Sequence, residues 1–261
     1  MAMTLLFIVN PRAGRTRSGV HLFDAVAHFC EAGYLVSIRR TKGPYDATQI
    51  VLDEGANFDR IVCCGGDGTF NETISGILKS GCDVPVGYIP AGSTNDFASS
   101  LKLSTNILQA AKDIVEGTAQ RFDVGSFGGR NFSYVSSFGI FTKSSYATPQ
   151  SVKNALGHTA YVLGGISELS QIRNEHVRME IDGEVVEDDF LFGAISNSTS
   201  LGGILTLKPD VVDMNDGLLE AFFIKTPQNA SEFMQLIFDL NTNKFVFKEN
   251  IEVPKLAVAV K

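Results

Sequence analysis

The sequence predicts an α/β domain followed by a β domain: a doubly wound parallel sheet over residues 1–124, then a mostly antiparallel β-sandwich over residues 125–261. Three observations carry that reading. From Thr4 to about Gly117 short apolar runs alternate with amphipathic segments, the order of a parallel sheet with helices on both faces. After Gln120 the hydrophobic period becomes two, with glycine turns between the runs. In the first half, three glycine-containing loops each follow a strand candidate and precede a helix candidate.

In order, "TLLFIV" reads as a strand. "SGVHLFDAVAHFCEAG" reads as a helix with Val20, Leu22, Phe23, Val26 and Phe29 on one face and Gly33 as its stop. "YLVSIRR" is a strand, "YDATQIVLDEG" a helix, "RIVCC" a strand, "TFNETISGILKSG" a helix and "PVGYIP" a strand; "NILQAAKDIVEG" closes the series as a helix. In the second half "RFDVGSFGGRNFSYVSSF" forms a hairpin about Gly128 and Gly129. "HVRMEIDGEVVEDDFLFGAIS" forms another, with Val177, Met179 and Ile181 alternating. "DGLLEAFFIK" and "IEVPKLAVAV" add strands, one helix is expected over "GHTAYVLGGISELSQI", and the C-terminal segment is free to return to the first domain. The domain boundary falls near Phe122 to Phe127, and function is expected at the carboxyl ends of the parallel strands, between the domains.

Composition narrows the class. A chain of 261 residues, 44% hydrophobic and 20% charged, is globular and long enough for two modest domains. A net charge of −7 argues against nucleic acid as a partner. It leaves peripheral membrane contact open, because a local basic patch acts within a Debye length. "MAMTLLFIVNPRAG" has no basic region and too short an apolar run for a signal peptide, and no stretch approaches the roughly 20 apolar residues of a membrane span. Cys30, Cys63, Cys64 and Cys82 lack zinc spacing, which suits reduced thiols in the cytoplasm.

The chemistry is expected in the loops. Gly65, Gly66 and Gly68 in "IVCCGGDGTFNE" let a backbone approach a pyrophosphate, and the following helix N-terminus favours anions. The loop is neither a Walker A nor a G-x-G-x-x-G, and a plain strand-to-helix turn would also use these glycines. Asp67 stands against that anion. Unit charges 4 Å apart interact by about 4 kcal/mol at an effective dielectric of 20, so the carboxylate suits a triphosphate only with a cation such as Mg²⁺ between them. The alternative is that Asp67 accepts backbone N–H groups and shapes the turn. "YIPAGSTNDFA" repeats the pattern with Pro90, Gly92, Ser93 and Thr94 before Asn95 and Asp96, which would equally serve as a helix cap. "NPRAGRTRSG" adds Arg12, Arg15 and Arg17, able to meet phosphate or anionic lipid.

"NPRAG", "GGDGTFNE" and "PAGSTNDFA", in that order, resemble the diacylglycerol kinase catalytic domain of soluble bacterial lipid kinases, a domain shared with sphingosine and ceramide kinases. The resemblance covers essentially the whole chain, although "GGDGT" alone also occurs in NAD kinases and phosphofructokinases. It implies that Asn10, Thr41, Gly65, Gly66, Asp67, Gly68, Thr69, Asn71, Glu72 and Ser93 hold ATP, with Asp67 as the catalytic carboxylate. It further implies a Mg²⁺ site in "VVDMNDGLLE": a side-chain oxygen of Asp216, the carbonyls of Asp213 and Leu218, and Asp96 and Asp123 through water. Read on their own, Asn215, Asp216 and Gly217 form a hairpin turn, which is compatible with a metal loop. Family members carry a late Asp-Gly-Glu turn whose acid serves as general base. Here Asp182-Gly183-Glu184 comes too early and reads as an ordinary hairpin turn, so no base is named.

The resemblance thus implies phosphoryl transfer from ATP, Mg-dependent, to the hydroxyl of diacylglycerol or a related membrane lipid, a step of phospholipid metabolism. The lipid would enter beside Phe132, Phe138, Ile140 and Phe141, residues that could instead be core. The protein would be cytoplasmic and transiently at the inner face of the membrane, with a homodimer left open. Two alternatives stand: an NAD kinase-like phosphotransferase, and a non-catalytic homologue that binds nucleotide or lipid.

Overall fold

The structure, a computed structural model, describes residues 2–14, 20–139, 174–181, 183–201, 205–206, 212–229, 231–232, 235–236 and 255–257. The chain divides into two compact units, Met1–Tyr134 and Val135–Lys261.

The first unit runs β1 (Met3–Val9), α1 (Val20–Glu31), β2 (Tyr34–Arg40), α2 (Asp46–Glu54), β3 (Arg60–Gly65), α3 (Asp67–Ser80), β4 (Val86–Pro90), α4 (Asp96–Ser100) and α5 (Ile107–Glu116). A hairpin follows, β5 (Gly125–Phe127) and β6 (Arg130–Phe132). The four main strands are parallel in the order β2-β1-β3-β4. The chain steps outward from β1 to β2, then reverses to β3 and β4. Right-handed crossovers therefore put α1 on one face and α2 and α3 on the other. The core follows that division. Leu5, Phe7 and Val9 pack with Ala25, Phe29, Ile107, Ala110 and Ala111 on one side; Leu6 and Ile8 pack with Ala47, Val51 and Ile61 on the other. Burial on both faces explains why β1 reads as a continuous apolar run rather than an alternating one.

Two boundaries and one face differ from the sequence reading. Phe23, placed on the apolar face of α1, is 77% exposed. The buried stripe runs through Leu22, Ala25, Val26 and Phe29 instead, the i, i+3, i+4, i+7 positions that pack with Ala110 and Ala111 of α5, and position 23 falls outside it. Helix α3 starts at Asp67 rather than at Thr69, which makes Asp67 the first helical residue and not a mid-loop one. The hairpin β5–β6 lies past the boundary expected near residue 125 yet falls in the first unit, which runs to Tyr134; Asn71 of α3 hydrogen-bonds β6 and the residue after it. Its turn is the one expected, with Gly128 and Gly129 both at positive φ, 56° and 75°.

The second unit contains β7 (Val135–Gly139), β8 (Glu175–Ile181), β9 (Glu184–Ser196), β10 (Ser200–Leu201), β11 (Leu205–Thr206), β12 (Leu218–Lys225) and β13 (Lys255–Ala257). One antiparallel sheet has the order β13-β12-β9-β7, with β8 also on β9. Ile181 pairs Glu184 across the β8–β9 turn, as the period-two alternation requires. The helix expected over "GHTAYVLGGISELSQI", and the residues Arg15, Arg17, Ile140, Phe141 and Asp182, lie outside the described residues. Among those described, no helix is long and apolar enough to cross a membrane.

Candidate active site

The carboxyl ends of the four parallel strands are level: Val9 pairs both Arg40 and Cys64, and Gly65 pairs Pro90. The strand order reverses between β1 and β3, so the loops after these strands flank the topological switch point, where a ligand crevice is expected. Asn10 bridges it. Its backbone N–H donates to Cys64 O at 2.9 Å, and its side-chain Nδ2 donates to Thr69 Oγ1 at 2.8 Å. Its Oδ1 accepts from Arg12 N at 2.9 Å, which folds the first glycine loop back on itself. Thr41, buried at the end of β2, donates its N–H to Val9 O at 2.9 Å.

The second and third loops are locked to each other at van der Waals distance. Ala91 N donates to Gly65 O at 2.7 Å. A Cβ on Gly92 would lie 2.6 Å from Gly66 Cα, and one on Gly65 would lie 2.6 Å from Thr69 Cβ. Those glycines are demanded by packing. Gly68 is different: it is exposed, its φ lies outside the left-handed region, and an added Cβ would meet nothing within 4 Å. It stands in the first turn of α3, whose N-cap Gly66 supplies no side-chain cap. The first amides of a helix have no intrahelical partner, and no side chain at Gly68 stands in front of them.

Asp67 has a task in the fold. Its Oδ2 accepts from Asp96 N at 3.2 Å and its Oδ1 from Phe97 N at 3.3 Å, so it caps α4 from another helix. Asn95, the cap expected from sequence, instead adopts φ 57° and returns its amide to the loop. Oδ1 accepts from Gly92 N at 2.8 Å, and Nδ2 donates to Gly92 O at 3.0 Å. Burial pushes the Asp67 carboxyl up from its ordinary value, and the neighbouring Asp96 carboxylate pushes the same way against the amides of Asp96, Phe97 and Asn95. Asp96 itself is 2% exposed. Beneath them lies an aromatic floor that sequence reading missed: Phe70 stacks on Tyr88 at 4.4 Å between centroids and meets Phe97 at 4.6 Å, and Phe97 meets Phe122 edge-on. Single aromatic residues in separate motifs gave no signal that they would converge.

Other predicted residues are engaged structurally. Asn71 donates Nδ2–H to Asn131 O at 3.1 Å and accepts from Ser133 N at 2.8 Å. Glu72 accepts from Ala47 N at 3.3 Å and, through its carbonyl, from Thr48 Oγ1 at 2.8 Å, so it fastens α2 to α3. Ser93 is exposed in the loop after β4. Of the apolar candidates, Phe132 is buried over Gly125, and Phe138 packs against Phe223.

The residues read as Mg²⁺ ligands form a tight turn. Asp213 Oδ1 accepts from Asn215 N at 3.1 Å, Asp216 Oδ1 from Leu218 N at 3.0 Å, and Met214 O from Asn197 Nδ2 at 3.3 Å. Among the described residues no three His, Cys, Asp or Glu side chains converge as a metal set. The set implied here is of another kind, one carboxylate and two carbonyls. Hard oxygen donors on a turn held from behind fit Mg²⁺ chemically, as does the like-charged pair Asp67 and Asp96.

Comparison with known proteins meets this geometry. Residues 4–127 match the diacylglycerol kinase catalytic domain, and residues 137–260 match the YegS C-terminal NAD kinase beta sandwich-like domain. The chain is 33% identical over 231 residues to a diacylglycerol kinase of Bacillus subtilis (strain 168), covering 88% of this chain and 76% of that one. It is 32% identical over 219 residues to a diacylglycerol kinase of Staphylococcus saprophyticus, covering 84% and 72%. A crystal structure of a diacylglycerol kinase from Bacillus anthracis str. Sterne aligns with a TM-score of 0.71 at 27% identity, covering 95% of this chain and 82% of that one. The likeness runs along nearly the whole chain and takes in both the parallel α/β unit and the antiparallel β unit. The chain belongs to the diacylglycerol kinase family.

Proposed function

We propose that this protein transfers the γ-phosphate of ATP to the hydroxyl of diacylglycerol or a closely related membrane lipid, with Mg²⁺. The observation that carries the nucleotide reading is Gly68, a glycine the fold does not need, standing open at the uncapped N-terminus of α3. A phosphate there would meet backbone N–H groups and the positive end of the helix. Asn10, Thr69 and Gly92 set the shape of the cradle, and Ser93 and Thr41 border it. Mg²⁺, when bound, offsets the charge of the phosphates and of the developing transition state. Asp67 would hold it at the phosphates, directly or through water; an ion on the turn of the second unit would take a side-chain oxygen of Asp216 and the carbonyls of Asp213 and Leu218. What the chain's own groups contribute is positioning: phosphoryl transfer depends mostly on alignment and charge neutralisation. The like-charged neighbours Asp67 and Asp96 are what a bound cation would relieve. Membrane contact is proposed as peripheral.

The test is a purified-protein assay with labelled ATP, offering a total lipid extract, diacylglycerol vesicles and NAD⁺ in parallel, with and without EDTA. A phosphorylated lipid that disappears with EDTA is the expected product. NADP⁺ as sole product would reject the lipid assignment. Tight MgATP binding with no turnover would make the protein a binding homologue instead. Asp67→Ala is expected to abolish turnover while the circular-dichroism spectrum is kept.

A further inference from the structure

Tyr45 sits four residues beyond Thr41, at the N-cap of α2, with φ 64° and ψ 1°. That is the left-handed region, which Gly and Asn adopt readily and an aromatic residue seldom does. The residue is 69% exposed, and its side chain makes no capping hydrogen bond. The turn around it is fixed by other groups. Lys42 N donates to Asp46 Oδ2 at 2.7 Å, Asp46 N to Gly43 O at 3.4 Å, and Gln49 N to Tyr45 O at 3.1 Å. A small residue tolerant of this conformation would make the same turn. A lone exposed aromatic side chain is unremarkable. An exposed one held at a backbone conformation it disfavours, with no capping hydrogen bond in return, is the kind of outlier found at ligand sites.

Its position supplies the second argument. Ala47, two residues on, donates its N–H to Glu72, and Glu72 lies four residues after Gly68 on α3. Four residues are about 6 Å along a helix axis. Thr41, on the other side of Tyr45, is tied to the end of β1. The turn carrying Tyr45 is therefore fastened on both flanks to the same end of the sheet as the glycine loops.

We propose that the Tyr45 ring is a stacking platform for the base of the nucleotide whose phosphates meet α3. This rests on the nucleotide reading of the glycine loops. Stacking uses the face of the ring and reads no hydrogen-bond pattern, so the residue favours an aromatic base without choosing among purines.

Calorimetric titration of the full-length wild type, Tyr45→Asn and Tyr45→Phe, with MgATP and with magnesium tripolyphosphate, tests it, alongside urea unfolding. Tyr45→Asn is expected to weaken MgATP binding by about tenfold, the usual size of one base–aromatic stack. Tripolyphosphate, which has no base, should bind it as it binds the wild type, and its urea midpoint should not fall. Tyr45→Phe should keep MgATP affinity. Unchanged MgATP binding by Tyr45→Asn overturns the proposal. So does an equal loss of both probes, or a loss accompanied by a lower urea midpoint, either of which assigns Tyr45 to the turn itself. If the wild type binds neither probe, the glycine loops are not a phosphate site and both readings fall together.

Discussion

Gly65 and Gly68 stand three positions apart, yet an added methyl group meets different surroundings at each. At Gly65 it would lie 2.6 Å from the Thr69 side chain, which already accepts from Asn10. Gly65→Ala is expected to destabilise the fold by about 1–3 kcal/mol, the usual cost of overpacking, readable as a lower urea midpoint. At Gly68 the methyl meets open space in a helix turn. Gly68→Ala should leave stability unchanged or raise it by up to about 1 kcal/mol. It should also weaken MgATP by at least about tenfold, a 1.4 kcal/mol effect; unimpaired binding would deny the cradle its purpose. Asp67 makes a pH-dependent prediction. Its folded pKa is raised, so the contribution of this group to the stability of the nucleotide-free protein is fully present below 3.8 and lost as pH rises through the folded value. Carboxyl NMR should find an Asp67 midpoint above 3.8 that moves down in Asp96→Asn. No movement would show that the Asp96 charge is not felt there. The motif itself was legible at this scale, because glycine and aspartate after an apolar run have few uses. The second task of Asp67, capping α4 from across the site, was not, since the amides it accepts come from residues 29 and 30 positions away.

Elements report the same division between local and distant causes. Helix α5 announces its own start: Asn106 accepts from Gln109 N at 3.0 Å, an ordinary N-cap. Helix α4 does not, since its expected cap Asn95 turns back to Gly92 and Asp67 takes over. The hairpin β5–β6 reads from its Gly-Gly turn, but its membership of the first unit depends on both ends of one amide, that of Asn71. Asn71→Ala removes the partner of the Asn131 carbonyl in β6 and of the Ser133 N–H just after it, at a cost of about 1–3 kcal/mol for part-buried groups. Hydrogen exchange should show faster exchange at Ser133 and along the hairpin while β1–β4 keep their protection. Unaltered exchange there would mean the hairpin is held by packing alone.

For the whole molecule, the first unit carries a two-sided core made from its own residues, with Phe7 and Phe29 edge-on at 5.7 Å on one face and Ile8 with Val51 on the other. A unit with its own core can fold alone. Residues 1–134 expressed by themselves should unfold in urea in one cooperative transition with helical circular dichroism. A broad, non-cooperative melt would show that this core depends on the rest of the chain.

By itself the sequence determined the alternation of strands and helices, the two hairpin turns, the positions of the glycine loops and the family. All of these depend on residues a few positions apart, where period and turn chemistry act. Only the tertiary structure decided that Phe23 faces outward, that Asn71 ties down a hairpin, that four aromatic rings form the floor under Asp67, and that Tyr45 is held left-handed at the rim. Each of these is settled by what a distant segment presents, and pattern along a chain carries no record of its spatial neighbours.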